Sequence, residues 1–140
     1  MHQITERLFV GNIYDAEKPP TMVGALLLVA AEFTVEPPAG LALERIPIKE
    51  YGEAEIASLD RAVNWIERHL PESRVMVCCR AGMGRSVSVV MAYLCCVEGM
   101  AYADVLKLVK TQRPGALPLS NIESAIEQVR QLRLGRNIEH

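Results

Sequence analysis

The sequence predicts an α/β fold in which helices flank a central mixed, largely parallel sheet. Short apolar runs of strand length alternate along the chain with longer segments of helical periodicity, and no internal repeat or low-complexity tract interrupts them. Hydrophobic residues make up 50% of the 140 residues, so the chain can bury one core but is too short for two ordinary domains. We therefore expect a single domain over residues 1–140.

Four segments are predicted to be strands because they are short, apolar and bounded by turn signals. The first closes on Gly11-Asn12, and the second is apolar on both faces, as a buried strand is. Surface loops are expected at Pro37–Gly40, where prolines and a glycine cluster, and at the polar residues 49–55. The predicted strands cover residues 8–10, 24–31, 43–48 and 74–78.

Four further segments are predicted to be helices. From Glu55 onward, apolar residues recur at spacings of three and four until Pro71 ends the pattern. The next helical segment is apolar nearly throughout and stops at Gly99, which indicates a helix buried against the sheet. A capping box of Ser120 with Glu123 marks the start of the last helix. The predicted helices cover residues 55–70, 87–98, 102–112 and 120–134.

The junction between the last strand and the buried helix carries the clearest chemical signal. Cys79 is followed by five residues and then by Arg85-Ser86, and the loop contains two glycines. These glycines allow backbone angles that other residues resist, so that several N–H groups point at one anion. The following helix directs its positive end at the same point. The loop is therefore predicted to bind phosphate through Arg80, Ala81, Gly82, Met83, Gly84 and Arg85.

Cys79 is the predicted nucleophile of this loop. Oriented N–H groups, a helix N-terminus and a guanidinium all favour its thiolate form. Arg85 would hold two phosphate oxygens with two parallel hydrogen bonds, which a lysine does not reproduce. Attack on phosphorus would form a phosphocysteine, and Ser86 is placed to donate a hydrogen bond to the sulfur when that intermediate breaks down. The backbone and Arg85 supply the charge that a metal would bring, so we predict neither a metal nor a cofactor.

A general acid is also expected, because an alkoxide or phenoxide leaves poorly without a proton. That acid should be a carboxylic acid on a loop at the mouth of the pocket. The polar loop of residues 49–55 contains glutamates and is the expected source.

The chain resembles the small dual-specificity protein phosphatases of the cysteine-dependent phosphatase superfamily. Residues 4–12 with Asp15-Ala16 are similar to the opening strand and turn of that family, Cys79–Ser86 to its signature loop, and residues 92–94 and 103–114 to the helices behind the loop. The resemblance implies a nucleophile at Cys79, phosphate binding by the loop up to Arg85, and a hydroxyl assistant at Ser86. Residues 46–50 resemble the segment that bears the general acid, which implies Glu50 for that role.

Two positions depart from the family pattern. The family usually has histidine immediately before the nucleophile, whereas this chain has Cys78, which implies a thiolate that is less favoured or differently tuned. Cys78 itself is predicted to be a buried strand residue. The acid of the family is usually aspartate, and Glu50 is one methylene longer. A shift of one residue would place Lys49 at that position and leave Glu53 to act, so Glu50 and Glu53 both stay open.

Composition gives little support for nucleic acid or membrane as a partner. The 15 basic and 17 acidic residues leave a net charge of −2, and no run approaches the roughly 18 apolar residues of a membrane span. The N-terminal residues lack the apolar core of a signal peptide, and the four cysteines form two adjacent pairs rather than a disulfide framework. We expect a cytoplasmic monomer whose partner is a phosphoprotein or a phosphorylated small-molecule substrate.

Four functions remain open from the sequence. The leading hypothesis is hydrolysis of phosphotyrosine, with phosphoserine and phosphothreonine as further substrates if the pocket is shallow. A phosphoinositide or another small phosphate monoester is the second, because Arg80 adds positive charge to the loop. A catalytically weak phosphate-binding module is the third, since the family histidine and aspartate are missing. Sulfur transfer or arsenate reduction is the last, and Cys78 is the nearest thiol that it would use.

Overall fold

The structure is a computed structural model that describes residues 1–36, 38–50 and 52–139. Those residues form five strands and five helices. The strands are β1 (His2–Gln3), β2 (Leu8–Gly11), β3 (Ala25–Leu28), β4 (Ala42–Arg45) and β5 (Val75–Cys78). The helices are α1 (Ile13–Glu17), α2 (Ile56–His69), α3 (Arg85–Cys96), α4 (Tyr102–Gln112) and α5 (Ile122–Glu139). Pro37 and Tyr51, which fall in the two predicted loops, lie outside the described residues.

The strands form one sheet in the order β1-β2-β5-β3-β4. β1 pairs antiparallel with β2, and the other three pairs are parallel, so the predicted mixed, largely parallel sheet is confirmed. β5 lies in the middle, where Cys78 is in register with Gly11 on one side and Leu28 on the other. The residue that follows β5 therefore emerges at the centre of the carboxyl edge of the sheet, where open α/β sheets place their binding sites.

Three strands are apolar on both faces, as their sequences predict. Every residue of β2, β3 and β5 is buried, which is the pattern of strands that are covered on both sides of a sheet. β4 lies at the edge, all of its residues are partly exposed, and it carries Glu44 and Arg45. The strand predicted at residues 43–48 is therefore shorter and begins one residue earlier.

α3 lies at the centre of the helix packing. Every residue from Arg85 to Cys95 is buried, and the helix packs against β2, β5, α2, α4 and α5. This environment explains why the sequence after the loop has no polar face. In the part of the chain that the structure describes, no helix is both long and apolar enough to cross a membrane.

α5 begins later than the sequence predicts. Its first residue is Ile122, so Ser120 lies outside the helix and the predicted capping box with Glu123 is wrong. Asn121 precedes the helix, and its side chain bonds to the backbone of Ala54 instead, accepting from the N–H at 2.9 Å and donating to the carbonyl at 3.2 Å. The start of α5 is thereby fixed against the loop that leads into α2.

α5 also ends later than predicted, because it continues through Gly135 to Glu139. Arg136 follows the glycine and donates two hydrogen bonds of 2.8 and 2.9 Å to Asp60 of α2. One turn earlier, Arg133 donates to Glu67 of the same helix at 2.9 Å. These contacts between helices outweigh the local stop signal of one glycine.

α1 is a helix that the sequence analysis did not predict. The side chain of Asn12 accepts from the N–H of Asp15 at 2.9 Å, and the carboxylate of Asp15 accepts from the N–H of Asn12 at 3.0 Å. This reciprocal pair is a capping box, and its Asn-x-x-Asp spacing is a signal that was present in the sequence. The helix brings the backbone of Ile13 against the loop that follows β5.

Burial predicts where the fold is most sensitive. Leu94 of α3 is fully buried, so Leu94→Ala leaves a cavity and should lower the free energy of unfolding by about 3 kcal/mol. Leu134→Ala removes the same atoms from a side chain on α5 that is 48% exposed, and it should change the free energy of unfolding by less than about 0.5 kcal/mol. Urea unfolding followed by circular dichroism measures both. Equal effects of the two substitutions would contradict this packing.

Candidate active site

Cys79 lies directly after the central strand and at the foot of a cavity of about 640 Å³. The residue is only 2% exposed, and its Sγ lies 3.2 Å from the Oγ of the fully buried Ser86. Once the sulfur is ionised, that hydroxyl can donate to it. A larger groove of about 1070 Å³ runs along α5, but no cysteine lines it. The cavity at Cys79 is therefore the candidate active site, and the predicted partnership of Cys79 with Ser86 has the required geometry.

Four consecutive carbonyl groups of the loop, from Arg80 to Met83, accept hydrogen bonds from other segments of the chain. The carbonyl of Arg80 accepts from the N–H of Ile13 at 3.2 Å, and that of Met83 accepts from the N–H of Leu117 at 2.8 Å. The carbonyls of Ala81 and Gly82 accept from the guanidinium of Arg113 at 3.3 and 3.1 Å.

This outward pairing fixes the direction of the N–H groups. In a trans peptide the N–H of one residue points opposite to the carbonyl of the residue before it. The four paired carbonyls, from Arg80 to Met83, therefore direct the next four N–H groups to the opposite side of the loop, which is the side of the cavity. Backbone N–H groups arranged in this way form an anion-binding nest. The N–H groups concerned belong to Ala81, Gly82, Met83 and Gly84, which the sequence assigned to phosphate binding. Ala81, Met83 and Gly84 line the cavity, whereas Gly82 is not among the residues that line it.

Gly82 has two reasons to be glycine. Its φ is +69°, which disfavours residues with a Cβ, and a Cβ at this position would lie 2.8 Å from both the carbonyl carbon and the carbonyl oxygen of Gly11. The prediction that this glycine shapes the loop is confirmed. For Gly84 the predicted reason is wrong, because its φ is −114° and is open to other residues. The constraint there is space, since a Cβ would lie 3.3 Å from the carbonyl oxygen of Leu117.

Arg85 is buried, with 3% of its surface exposed, and its charge is paired with Glu32. Nη1 and Nη2 donate to the two carboxylate oxygens at 2.5 and 2.8 Å, and Nη1 also donates to the carbonyl of Ile48 at 3.0 Å. The hydrogen bond from Arg85 lowers the pKa of Glu32, so the carboxylate stays ionised. Burial acts to lower the pKa of Arg85, but the hydrogen bond with Glu32 outweighs it and the pKa is raised.

The pairing with Glu32 leaves one side of the guanidinium available. Three of its five N–H groups are used, and the other two, on Nε and Nη2, have no acceptor among the described residues. These two N–H groups are parallel and form the side-on fork of an arginine. A fork of this kind matches two oxygens of a phosphate. Glu32 therefore orients Arg85 without occupying the fork formed by Nε and Nη2.

Glu32 is a functional residue that the sequence analysis missed. It follows β3 by a few residues, and β3 is the neighbour of β5, so both strands end at the same edge of the sheet. A carboxylate just beyond a buried strand was visible in the sequence. Its partner was not, because 53 residues separate Glu32 from Arg85.

Glu50 lies at the mouth of the same cavity, where both of its carboxylate oxygens accept from Nη1 of Arg80 at 3.3 Å. Glu53 is exposed and is not among the residues that line the cavity. Of the two carboxylates that the sequence left open, only Glu50 is thus brought to Cys79. The side chain of Arg80 turns to Glu50 and not into the loop.

Cys78 is separated from the cavity although it directly precedes Cys79. It is fully buried in β5 and is not among the residues that line the cavity, so its prediction as a core residue is confirmed. Burial raises the pKa of this thiol, and the nearby Asp15 and Cys79 raise it further. Cys78 is therefore a neutral, enclosed thiol.

The catalytic domain of the dual specificity phosphatases is the family whose sequence profile matches residues 26–134. The mouse dual specificity protein phosphatase 8 (Mus musculus) is 34% identical over 93 residues, which cover 64% of this chain and 14% of that protein. The dual specificity protein phosphatase 1B of Arabidopsis thaliana is 25% identical over 134 residues, covering 91% of this chain and 80% of that protein. The chain thus spans most of one relative and a small part of the other.

The fold is also that of solved dual specificity phosphatases. The crystal structure of human DUSP28 superposes with a TM-score of 0.84 and covers 97% of this chain and 99% of its own. The two sequences are 22% identical, so this likeness establishes the fold alone.

The loop geometry predicts that Gly82→Ala destroys anion binding. The new Cβ would meet the backbone of Gly11, so the loop must move and the inward N–H groups lose their alignment. We expect inorganic phosphate to bind at least about tenfold more weakly, a loss of roughly 1.4 kcal/mol, in isothermal titration calorimetry. Gly135→Ala is the matched control, because nothing lies within 4 Å of a Cβ there. Unchanged phosphate affinity in Gly82→Ala would show that the loop does not form the anion site.

Proposed function

The chain belongs to the dual specificity phosphatase family, a family of cysteine-dependent protein phosphatases, and we propose that it hydrolyses phosphotyrosine in phosphoproteins at Cys79. Phosphoserine and phosphothreonine are the further substrates of this proposal. The observation that carries it is the convergence of three groups on one cavity: the thiol of Cys79, the inward N–H groups of the loop and the open fork of Arg85. A phosphoryl group is the ligand that all three fit.

The first step transfers the phosphoryl group to the enzyme. The thiolate of Cys79 attacks phosphorus, the bond between phosphorus and the ester oxygen breaks, and a phosphocysteine forms. Charge spreads over the three equatorial oxygens in the transition state, where the loop N–H groups and Arg85 stabilise it. The departing oxygen takes the proton of Glu50, which lies at the mouth of the cavity on the side from which a leaving group departs.

The second step releases phosphate. Glu50, now a carboxylate, accepts a proton from water as the water oxygen attacks phosphorus, and the bond between sulfur and phosphorus breaks. Cys79 leaves as a thiolate, to which the hydroxyl of Ser86 donates across 3.2 Å. That hydrogen bond stabilises the leaving group of this step, so Ser86 acts mainly in the breakdown of the intermediate.

Arg85 is placed to bind the substrate phosphate without shifting its own salt bridge. Glu32 and the carbonyl of Ile48 hold the guanidinium in position while the fork of Nε and Nη2 faces the phosphoryl oxygens. A buried arginine with no partner would lose much of its solvation energy. Glu32 is therefore proposed as a positioning residue for Arg85.

A phosphate-binding module with little turnover is the second candidate function. The observation that favours it is Cys78 at the position of the family histidine, with glutamate in place of the family aspartate. The contact between Cys79 and Ser86 favours turnover instead, because a hydroxyl beside the sulfur serves the breakdown of a phosphocysteine and adds nothing to binding. Sulfur transfer and arsenate reduction are disfavoured, since Cys78 is buried away from the cavity.

Several broader proposals accompany this function. One continuous core of buried residues supports treating residues 1–140 as one catalytic domain. All four cysteines are free thiols, which supports a reducing, cytoplasmic location.

We also propose that the protein acts as a monomer and needs neither nucleic acid nor a membrane, because the net charge of −2 attracts neither. A phosphorylated small molecule, such as a phosphoinositide, remains the alternative substrate of the same site.

Arg85→Lys tests the proposed function. A lysine keeps the charge but cannot bond to Glu32, Ile48 and a phosphate fork at once. We expect kcat/KM for an aryl phosphate to fall at least about tenfold, roughly 1.4 kcal/mol of transition-state stabilisation. Arg133→Lys, at an ion pair between α5 and α2, is the matched control and should keep normal kcat/KM. Cys79→Ser gives the background rate, because it lacks the proposed nucleophile. Activity that persists in this variant would refute the role of Cys79.

Glu50→Gln tests the proposed general acid. An ester with an activated leaving group, such as p-nitrophenyl phosphate, needs no proton, whereas phenyl phosphate does. We expect kcat for phenyl phosphate to fall at least about tenfold more than kcat for p-nitrophenyl phosphate. Glu53→Gln is the control and should change neither, because Glu53 does not line the cavity. If only Glu53→Gln separates the two esters, the acid is Glu53.

A further inference from the structure

The mouth of the catalytic cavity has an apolar lip, formed by Met83, Leu117 and Pro118. The N–H of Leu117 donates to the carbonyl of Met83 at 2.8 Å, so the loop after α4 is attached directly to the phosphate-binding loop. Leu117 is 76% exposed and Met83 is 37% exposed. Two large apolar side chains therefore face solvent beside a charged cavity, where burial by a substrate would be favourable.

The lip is fixed in place by contacts on both sides. The N–H of Leu119 donates to the Oγ of Ser88 in α3 at 2.9 Å, which anchors the loop just beyond Leu117. The side chain of Met83 rests near Gly115, where a Cβ would lie 3.5 Å from its sulfur. A surface that is held in this way is preorganised for contact, and little conformational entropy is lost when a ligand covers it.

The charged groups at the mouth already have partners. Arg80 and Glu50 both line the cavity and form an ion pair, with 3.3 Å between Nη1 of Arg80 and the carboxylate of Glu50. An acidic side chain next to the phosphorylated residue would therefore have to compete with the carboxylate of Glu50 for Arg80. The exposed apolar side chains of the lip are the surface that we expect a flanking residue to cover.

The exposed fractions also indicate how far from the phosphate the contacting group lies. Cys79 and Arg85, at the foot of the cavity, are 2% and 3% exposed, whereas Leu117 stands largely outside it. The phosphoryl group occupies the foot. A group that covers Leu117 must lie at the outer rim, which is where the residues next to the phosphorylated one would run.

We propose that the apolar lip binds a large apolar side chain adjacent to the phosphorylated residue, so that the enzyme selects phosphoproteins with apolar and not acidic flanking residues. This inference rests on the proposed function, because the same cavity must first accept the phosphoryl group. Met83, Leu117 and Pro118 are then specificity-determining residues. A phosphoinositide headgroup, which carries hydroxyls and phosphates around its ring, would leave the lip uncovered.

Matched phosphotyrosine peptides test the lip. One series carries Leu, Ser or Asp on the N-terminal side of the phosphotyrosine, and a second carries them on the C-terminal side. We expect kcat/KM of the wild-type protein to be at least about fivefold higher for the Leu peptide than for the Ser peptide in one series, and lowest for Asp. In Leu117→Ser this ratio of Leu to Ser should fall to about one. Leu134→Ser, on α5 and 48% exposed, is the matched control and should keep the wild-type ratio.

Three results would overturn the proposal. Equal kcat/KM for all flanking residues would show that the lip does not determine specificity, while the proposed phosphatase activity would stand. A Leu preference that persists in Leu117→Ser would assign it to other residues. The third result is a wild-type protein that hydrolyses phosphoinositides and none of the peptides. That result would refute both the role of the lip in specificity and the proposal that the substrate is a phosphoprotein.

Discussion

The loop between β5 and α3 depends on partners for its outward-facing carbonyl groups. Ile13, Arg113 and Leu117 supply them, and these residues come from α1, the end of α4 and the loop before α5. Segments far apart in sequence thus meet at one short loop. The proposed phosphate site follows from this pairing, because the N–H groups can only point where the carbonyl groups do not.

The buried Arg85 likewise needs partners, and these come from the segments that follow β3 and β4. A guanidinium that is 3% exposed needs a counter-charge, and Glu32 supplies it from beyond β3. Ile48, which follows β4, adds a carbonyl. The sheet order places these strands on one side of β5 and β2 on the other. Cys79, the proposed nucleophile, therefore lies where residues from both halves of the sheet can contact its loop.

The sequence contained enough to place the proposed catalytic residues in one loop but not to identify the residues that support that loop. Cys79, Arg85 and Ser86 are close in the chain, so their spacing alone placed them in one loop. Glu32 and Arg113 act on that loop from 53 and 31 residues away, and no local pattern links them to it. The end of α5 was missed for the same reason, because it depends on contacts with α2. Local periodicity predicts the helices and strands. Polar contacts between residues far apart in the sequence determine where α5 ends and which residues support the loop.

Cys78 and Cys79 have opposite environments although one peptide bond joins them. Cys78, the last residue of β5, is enclosed in the core and its pKa is raised, whereas Cys79, the first residue after the strand, lines the cavity. The end of β5 therefore separates a buried thiol from a thiol that can be reached through the cavity. A small anionic thiol reagent that enters by way of the phosphate loop would meet one sulfur and not its neighbour, so covalent labelling can distinguish two cysteines that are adjacent in the sequence.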